Sequence, residues 1–220
     1  MARIAVVGSN QGIGLELCRL YAARGHEVLA ACRKSSSDLQ LLKVEIVEHV
    51  DVTSDHGVDE FAARVGSRPL DVLVIVAGIF GRDSFDELSL ARMREQYEVN
   101  AMGPLRVVKA LVRNLPPGAK LALLTSRMGS IADNSSGGHY GYRMSKAALN
   151  MAGRSLTLDL APRGIAVALL HPGFVRTAMT DGRGDVSAAE SAAQLAERIE
   201  AMNIDRSGEF RHANGTLLPW

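Results

Sequence analysis

Short, nearly unbroken runs of Val, Ile, Leu and Ala recur along the chain, each separated from the next by a longer stretch with helical periodicity. The runs are Ile4–Val7, Glu27–Cys32, Val44–Val50, Val72–Val76, Lys120–Thr125 and Ile165–His171, with a last candidate at Gly208–His212. A strand with one wet face alternates apolar and polar residues. A continuous apolar run instead suits a strand buried on both faces of a parallel sheet. The helical candidates between them are Gly12–Arg24, Asp55–Val65, Leu90–Asn114, Tyr142–Ala161 and Ala188–Met202. Gly25, Gly66 and Gly164 stand where helices would stop. Strands alternating with helices imply βαβ units joined by right-handed crossovers. The predicted architecture is α/β: a doubly wound sandwich with a central, mostly parallel seven-stranded sheet and helices on both faces. Ligands of such a sheet bind beyond the carboxyl ends of its strands.

At 220 residues the chain suits one such sheet and one domain spanning residues 1–220. The 25 Lys and Arg nearly balance the 24 Asp and Glu. That balance argues against a nucleic-acid partner, because neutralising phosphates needs a basic excess. Cys18 and Cys32 are the only cysteines and make no disulfide framework. None of the six histidines lies in an H-E-x-x-H motif or a Cys/His cluster, so no metal site is expected. No stretch approaches a membrane span, and the apolar run after Met1 is too short for a signal peptide. The cytoplasm is the expected location, without a membrane partner.

Two motifs carry chemistry on their own spacing. Gly8-Ser9-Asn10-Gln11-Gly12-Ile13-Gly14 directly follows the first run and opens the first helix. Glycines there permit a tight turn and let backbone N–H groups approach a pyrophosphate at the positive end of the helix. The alternative is a glycine-rich turn without a ligand. Further on, Tyr142-Arg143-Met144-Ser145-Lys146 places Tyr142 and Lys146 on one helix face. A phenol titrating near 10 is poorly balanced for proton transfer at neutral pH. A nearby ammonium is expected to lower that value and make Tyr142 an acid–base group. The alternative is a surface Tyr beside a solvated Lys.

Together with the segments below, these motifs make the chain resemble the short-chain dehydrogenase/reductases over essentially its whole length, and among them the small C-factor-like members. The glycine turn is similar to T-G-x-x-x-G-[IL]-G, with Val7 in place of the Thr. The resemblance implies a Rossmann-like fold and an NAD(P)-dependent oxidoreductase. It assigns Gly8, Asn10, Gln11, Gly12, Ile13 and Gly14 to the cofactor. It assigns Asp51 and Val52 to the adenine, although Asp51 or Ser54 would also serve as a helix cap. Ala77 and Gly78 would lie against a ribose. Pro172, Gly173, Val175 and Thr177, in His171-Pro172-Gly173-Phe174-Val175-Arg176-Thr177, would meet the nicotinamide. His171 itself reads as a strand-end residue. NAD-selective members carry an acidic residue after the second strand. Here Arg33 and Lys34 stand there, which favours NADP(H) over NAD(H) unless both are merely solvated loop charges. The implied catalytic set is Asn100, Ser126, Tyr142 and Lys146. Ser126 closes a strand run, whereas its rival Ser130 lies in the following loop. Sixteen residues separate Ser126 from Tyr142, longer than is usual in the family, and the surplus falls in Asp133–His139.

One departure from the family is Ile75-Val76 before Ala77-Gly78, where two Asn are usual. Their loss is expected to loosen sheet hydrogen bonding or alter the adenosine pocket. The leading expectation is NADPH-dependent reduction of a ketone or aldehyde to an alcohol. The alternative is a non-enzymatic nucleotide-binding signalling or scaffold protein. A sugar-nucleotide epimerase is a weaker third, because little chain remains for a substrate region. Phe80, Met128, His139, Tyr140, Phe174 and Met179 are candidate pocket walls, and residues 174–187 are a candidate flexible lid. The resemblance also implies a homodimer or homotetramer formed through Leu90–Asn114 and Tyr142–Ala161. Ala147, Ala148, Ala152 and Gly153 would allow close packing there.

Overall fold

The apolar runs lie side by side in the computed structural model, which describes residues 1–220. Strands β1 (Arg3–Val7), β2 (Glu27–Ala31), β3 (Glu45–Val47), β4 (Val72–Ile75), β5 (Lys120–Leu124) and β6 (Ala166–His171) belong to the main sheet. Two short strands, β7 (Val175–Arg176) and β8 (Val186–Ser187), pair with each other in parallel. The last strand, β9 (Phe210–His212), returns to the main sheet. Its order is β3-β2-β1-β4-β5-β6-β9, with every neighbour parallel. The helices are α1 (Gly12–Ala23), α2 (Ser37–Gln40), α3 (Asp55–Val65), α4 (Leu90–Tyr97), α5 (Gly103–Leu111), α6 (Tyr140–Leu160) and α7 (Ala188–Ala201).

The continuous apolar runs are explained by two cores. Successive strand residues point to opposite faces. Ile4 and Val6 of β1 enter one core with Leu17 of α1 and Leu195 of α7. Ala5 and Val7 enter the other, with Phe61 of α3, Leu111 of α5 and Leu149 of α6. Each fully buried Leu, Ile or Phe contributes about 1.5–3 kcal/mol relative to exposure, so neither face tolerates a polar substitution.

The structure departs from the predicted elements in five places. The Val44–Val50 run yields only Glu45–Val47 as strand, at the sheet edge and half-buried, and His49 turns the chain with φ 63°. Ser36 caps a short helix, α2, by accepting the Leu39 N–H, where the serine cluster reads as a turn. Leu90–Asn114 is not one α-helix. A π-helical turn, Glu98–Met102, with Asn100 at its centre, separates α4 from α5, and Val112–Asn114 is a 3₁₀ turn. Residues 174–187 are tied at both ends by β7 and β8, and Arg176 donates to the Gly184 and Asp185 carbonyls. Lastly, Gly153 faces its own sheet: a Cβ there would lie 2.6 Å from Leu169 Cδ2, so it cannot serve a helix pair across a subunit boundary. No helix is long and apolar enough to cross a membrane.

Candidate active site

The site begins where β1 stops. Gly8 has φ +94°, donates its N–H to Ala31 O at 2.9 Å, and leaves no room for a side chain: a Cβ would lie 2.6 Å from Ala77 N. Gly14 starts α1 so tightly over this turn that a Cβ would sit 2.1 Å from Gly8 O. Gly12, with φ +55°, lies under Thr177, whose Cγ2 would be 3.3 Å from a Cβ. The glycine turn and the Pro172–Thr177 segment therefore meet. Gln11 stands at the N-cap of α1 without a side-chain bond, and no acidic residue occupies the first turn. Those amides are free to receive an anion. Asn10 accepts the Ser36 hydroxyl at its carbonyl (2.7 Å), while its Oδ1 is buried without a partner. Ile13 packs on the core.

Beside the turn, Arg33 and Lys34 follow β2 and are exposed. Neither forms an ion pair with a carboxylate among the salt bridges of the chain. Asp51 Oδ1 accepts the Thr53 N–H (2.9 Å) and hydroxyl (2.8 Å). The backbone bond from Thr53 is the main cause that holds its carboxyl below the usual range, with Arg33 and Arg106 adding their charge. Ser54, not Asp51, caps α3 by accepting the Gly57 N–H at 3.2 Å. Val52 is buried and its carbonyl accepts Arg106 Nη1 at 2.6 Å.

The substitution at Ile75-Val76 leaves the sheet intact. Ile75 is 1% exposed and belongs to the core, and Val76 and Ala77 both donate to Val7 O, at 2.8 and 3.0 Å. The expected loosening of backbone pairing does not occur, because apolar packing occupies the place of the polar side chain. Gly78 then passes close to the catalytic candidates: a Cβ would lie 3.1 Å from Asn100 Oδ1 and 3.5 Å from Lys146 Nζ.

Asn100, Ser126, Tyr142 and Lys146 converge at this carboxyl edge. Asn100 is fully buried in the π turn. Its Oδ1 accepts Ile79 N–H (2.8 Å), and its Nδ2 donates to Ile79 O (2.9 Å) and Ser145 Oγ (3.0 Å). Ser145 passes the link on to the Tyr142 carbonyl at 2.8 Å. Ser126 lies two residues past β5 and caps a 3₁₀ turn, accepting the Met128 N–H at 3.1 Å. Ser130 is engaged elsewhere, accepting the Asp133 N–H at 3.1 Å to turn the loop. Of the two serines, Ser126 is the one whose hydroxyl acts on the Tyr142 phenol, working to lower it.

Burial reverses the expected electrostatics. The Lys146 ammonium donates to Leu124 O at 2.9 Å and lies 5.9 Å from the centre of the Tyr142 ring. Desolvation pushes Lys146 down from 10.5 to about 8. Desolvation also raises the Tyr142 phenol, and Ser126 offsets part of that rise. The sequence expectation was a phenol lowered by the ammonium. In the structure desolvation is the largest cause acting on the phenol, and Tyr142 is held in its neutral, proton-donating form.

The pocket candidates separate. Phe80 meets the Tyr142 ring edge-on at 4.8 Å and the His139 ring at 5.2 Å. Tyr140 instead packs near Phe85, at 6.5 Å. Phe174 and Met179 are exposed on residues 174–187, and Met128 is half-buried after β5. Pro172 O accepts Ser191 Oγ at 2.8 Å; Gly173, with φ +91°, lies beside His212. Val175 is buried in β7, and Thr177 N–H donates to Thr180 Oγ1 at 3.1 Å. His171 packs edge-on against His212 at 4.9 Å, and burial lowers it to about 3, which keeps it neutral as a strand-end residue. Sequence reasoning missed Arg143, which organises the surplus loop by donating to Gly137 O, Gly138 O and Ser136 Oγ. A separate cavity of about 300 Å³, lined by Tyr21, His26, Asp71 and Lys120 among others, opens at the amino-terminal edge of the sheet and contains none of these residues.

The chain is similar to known proteins in both sequence and fold. The short chain dehydrogenase family model matches residues 2–199. The chain is 40% identical to the 1-hydroxy-2-glutathionyl-2-methyl-3-butene dehydrogenase of Rhodococcus sp. (strain AD45), covering 100% of both chains. It is 44% identical to C-signal of Myxococcus xanthus, over 73% of this chain and 98% of that one. Among solved structures, the NADPH-bound carbonyl reductase from chicken fatty liver superposes with a TM-score of 0.91 at 28% identity, covering 100% of this chain and 99% of that chain. With the family motifs, the Rossmann sheet order and a relative matched end to end, the chain belongs to the short-chain dehydrogenase/reductase family of oxidoreductases.

Proposed function

We propose that this chain uses NADPH to reduce a ketone or aldehyde to the alcohol, with Tyr142 as the proton donor. The observation that carries the reading is the convergence of Ser126, the half-buried Tyr142 ring and the buried Lys146 ammonium at the carboxyl edge of the sheet. The dinucleotide fits the residues present. The glycine turn leaves space and free α1 amides for a pyrophosphate, Asn10 Oδ1 is buried without a partner, and the exposed Arg33 and Lys34 form no direct ion pair. Gly8 to Gly14 would hold the pyrophosphate. Asp51 and Val52 would hold the adenine, Ala77 and Gly78 a ribose, and Pro172, Gly173, Val175 and Thr177 the carboxamide. Bound NADPH supplies the hydride. Ser126 orients and polarises the substrate carbonyl, and Tyr142 delivers a proton to its oxygen. Lys146, titrating near 8, can exchange protons at neutral pH. Asn100 fixes the loop and helix on which Gly78 and Tyr142 sit.

The test is NADPH oxidation with a panel of ketones and aldehydes, run in reverse with alcohols. A 1-hydroxy-2-thioether belongs in that panel, because of the name of the Rhodococcus relative. The name of the Myxococcus relative favours a second reading, a signalling protein that binds a nucleotide without turnover. Tight NADPH binding with no reaction across the whole panel would select it. A cytoplasmic address and a small-molecule carbonyl or alcohol as partner are part of the same proposal.

The 2′-phosphate assignment makes a separate prediction. Charge-assisted bonds contribute about 1.5–3 kcal/mol when shielded, and less at an exposed site. Arg33→Ala is therefore expected to weaken NADPH about tenfold and leave NADH unchanged, read by titrating each nucleotide. Equal weakening of both would remove Arg33 from the phosphate.

Oligomerisation also rests on a surface feature. Met144, Met151 and Leu158 are 56%, 68% and 62% exposed at seven-residue spacing along α6. That spacing places them on one helix face. We assign this stripe to a homodimer or homotetramer contact, in place of Gly153. Light scattering is expected to give an oligomer for wild type and a smaller species for Met151→Glu. A wild-type monomer at micromolar concentration would defeat the assignment.

A further inference from the structure

We propose that Asp83 is a positioning residue for Tyr142, acting from the loop after β4 by capping the helix that carries the phenol. The role rests on the acid–base reading of Tyr142. A helix leaves its first four N–H groups without partners, and a Ser, Thr, Asp or Asn at the N-cap normally meets one of them. Helix α6 lacks this local device. Its N-cap is His139, in a left-handed conformation with φ 51°, and its side chain makes no capping bond. The two residues before it, Gly137 and Gly138, have no side chains to offer.

Asp83 takes over the task from 57 residues upstream of Tyr140. Its backbone carbonyl accepts the His139 N–H at 2.9 Å. Its carboxylate accepts the Tyr140 N–H through Oδ1 and the Gly141 N–H through Oδ2, the latter at 3.2 Å. Three consecutive amides are thus held by one residue, and the next residue in the chain is Tyr142. A negative charge at a helix N-terminus is also favourable to the helix dipole.

The same loop holds the ring. Phe80 meets the Tyr142 ring edge-on at 4.8 Å with an interplanar angle of 80°. The loop is itself anchored, so it can serve as a reference for α6. Asn100 bonds both the N–H and the carbonyl of Ile79. Gln96, 2% exposed, accepts the Gly81 N–H at 2.8 Å. Gly81 and Gly141 close on Gln96 so tightly that a Cβ on either would lie 2.6 or 2.5 Å from its Nε2. Asp83 meets the candidate pocket residues His139 and Tyr140 through their backbone amides, and no hydrogen bond joins it to the phenol oxygen. Its effect runs through the placement of the first turn of α6, where an error of about 1 Å can cost on the order of a hundredfold in rate.

The experiment is a double-mutant comparison, using the carbonyl compound that wild type reduces fastest. Asp83→Ala is expected to lower kcat at least tenfold, with NADPH affinity within about twofold of wild type. Asp83→Asn keeps one acceptor for the amides and is expected to recover most of that loss. In a Tyr142→Phe background, Asp83→Ala should cost less than about twofold, because residues acting through one another are not additive. The same fold loss in both backgrounds would show a merely structural role and overturn the proposal, as would an unchanged kcat in Asp83→Ala. If Asp83→Ala does not fold, Asp83→Asn is compared across the same two backgrounds, with a smaller loss expected only where Tyr142 is present. Equal turnover by wild type and Tyr142→Phe is a different result: it defeats the acid–base reading itself and, with it, the role of Asp83.

Discussion

Tyr142→Phe is expected to bind NADPH as wild type does and to lose about 10²- to 10⁴-fold in kcat for carbonyl reduction, the range over which a positioned acid–base group acts. The substitution removes one oxygen and keeps the ring that Phe80 contacts edge-on. Packing should therefore survive, and melting temperature should change little. The structure also sets the sign of the pH dependence. Desolvation raises the Tyr142 phenol above its ordinary 10.0, so at neutral pH the group is protonated and ready to donate. Reduction needs the neutral form and is expected to be flat through neutrality and to fall only at alkaline pH. Oxidation of the alcohol needs the ionised form and should rise across the same alkaline range. Wild-type turnover in Tyr142→Phe, measured as NADPH oxidation, would sink the assignment.

Much of this site was legible because its signals are local. Tyr142 and Lys146 are one helical turn apart, so their shared face follows from helix geometry alone. The glycine turn is legible because its position after an apolar run and before a helix is itself the structural context it needs. The preference for Ser126 over Ser130 rests on one strand-end argument, and in the structure each hydroxyl accepts a nearby loop amide, Met128 N–H for Ser126 and Asp133 N–H for Ser130. The strands were legible wherever both faces are buried. The rule failed at β3, where an edge strand with one neighbour is half-exposed and pairing stops after three residues.

What was illegible depends on partners far away in sequence. The π turn at Asn100 interrupts a segment whose periodicity continues as an ordinary helix. The amide reaches Ile79 at 21 residues' separation and Ser145 at 45, contacts that no local pattern records. The Asp83 cap is hidden for the same reason. The directions of the Tyr142 and Lys146 shifts were hidden because spacing reports proximity and says nothing of water. Two groups that attract in solvent are both driven towards their neutral forms once buried.

Lys146 is expected to carry a measurable cost in stability that its removal reveals. It is 4% exposed, and desolvation lowers it from 10.5 to about 8. Below pH 8 the folded and unfolded chains both hold the proton, and the folded state carries the full penalty of a buried ammonium. Between about 8 and 10.5 the folded state has released its proton while the unfolded state has not, so stability recovers as pH rises. At about 1.36 kcal/mol per pKa unit, the recovery attributable to this one group is about 3 kcal/mol. Lys146→Met has no such proton. Its stability relative to wild type is therefore expected to be greatest near neutrality and to fall by about 3 kcal/mol towards pH 10.5. The unpaired Leu124 carbonyl offsets the variant by a roughly constant amount of about 1–3 kcal/mol at every pH, so the slope is the decisive quantity. Denaturant melts of both proteins across that range provide the measurement. Parallel curves would mean that Lys146 is not held near 8. The same variant is expected to lose carbonyl reduction at least a hundredfold, because it removes the cation assigned to proton exchange with Tyr142. A more stable protein at neutral pH that no longer turns over would show that burial of Lys146 is maintained for chemistry and against stability.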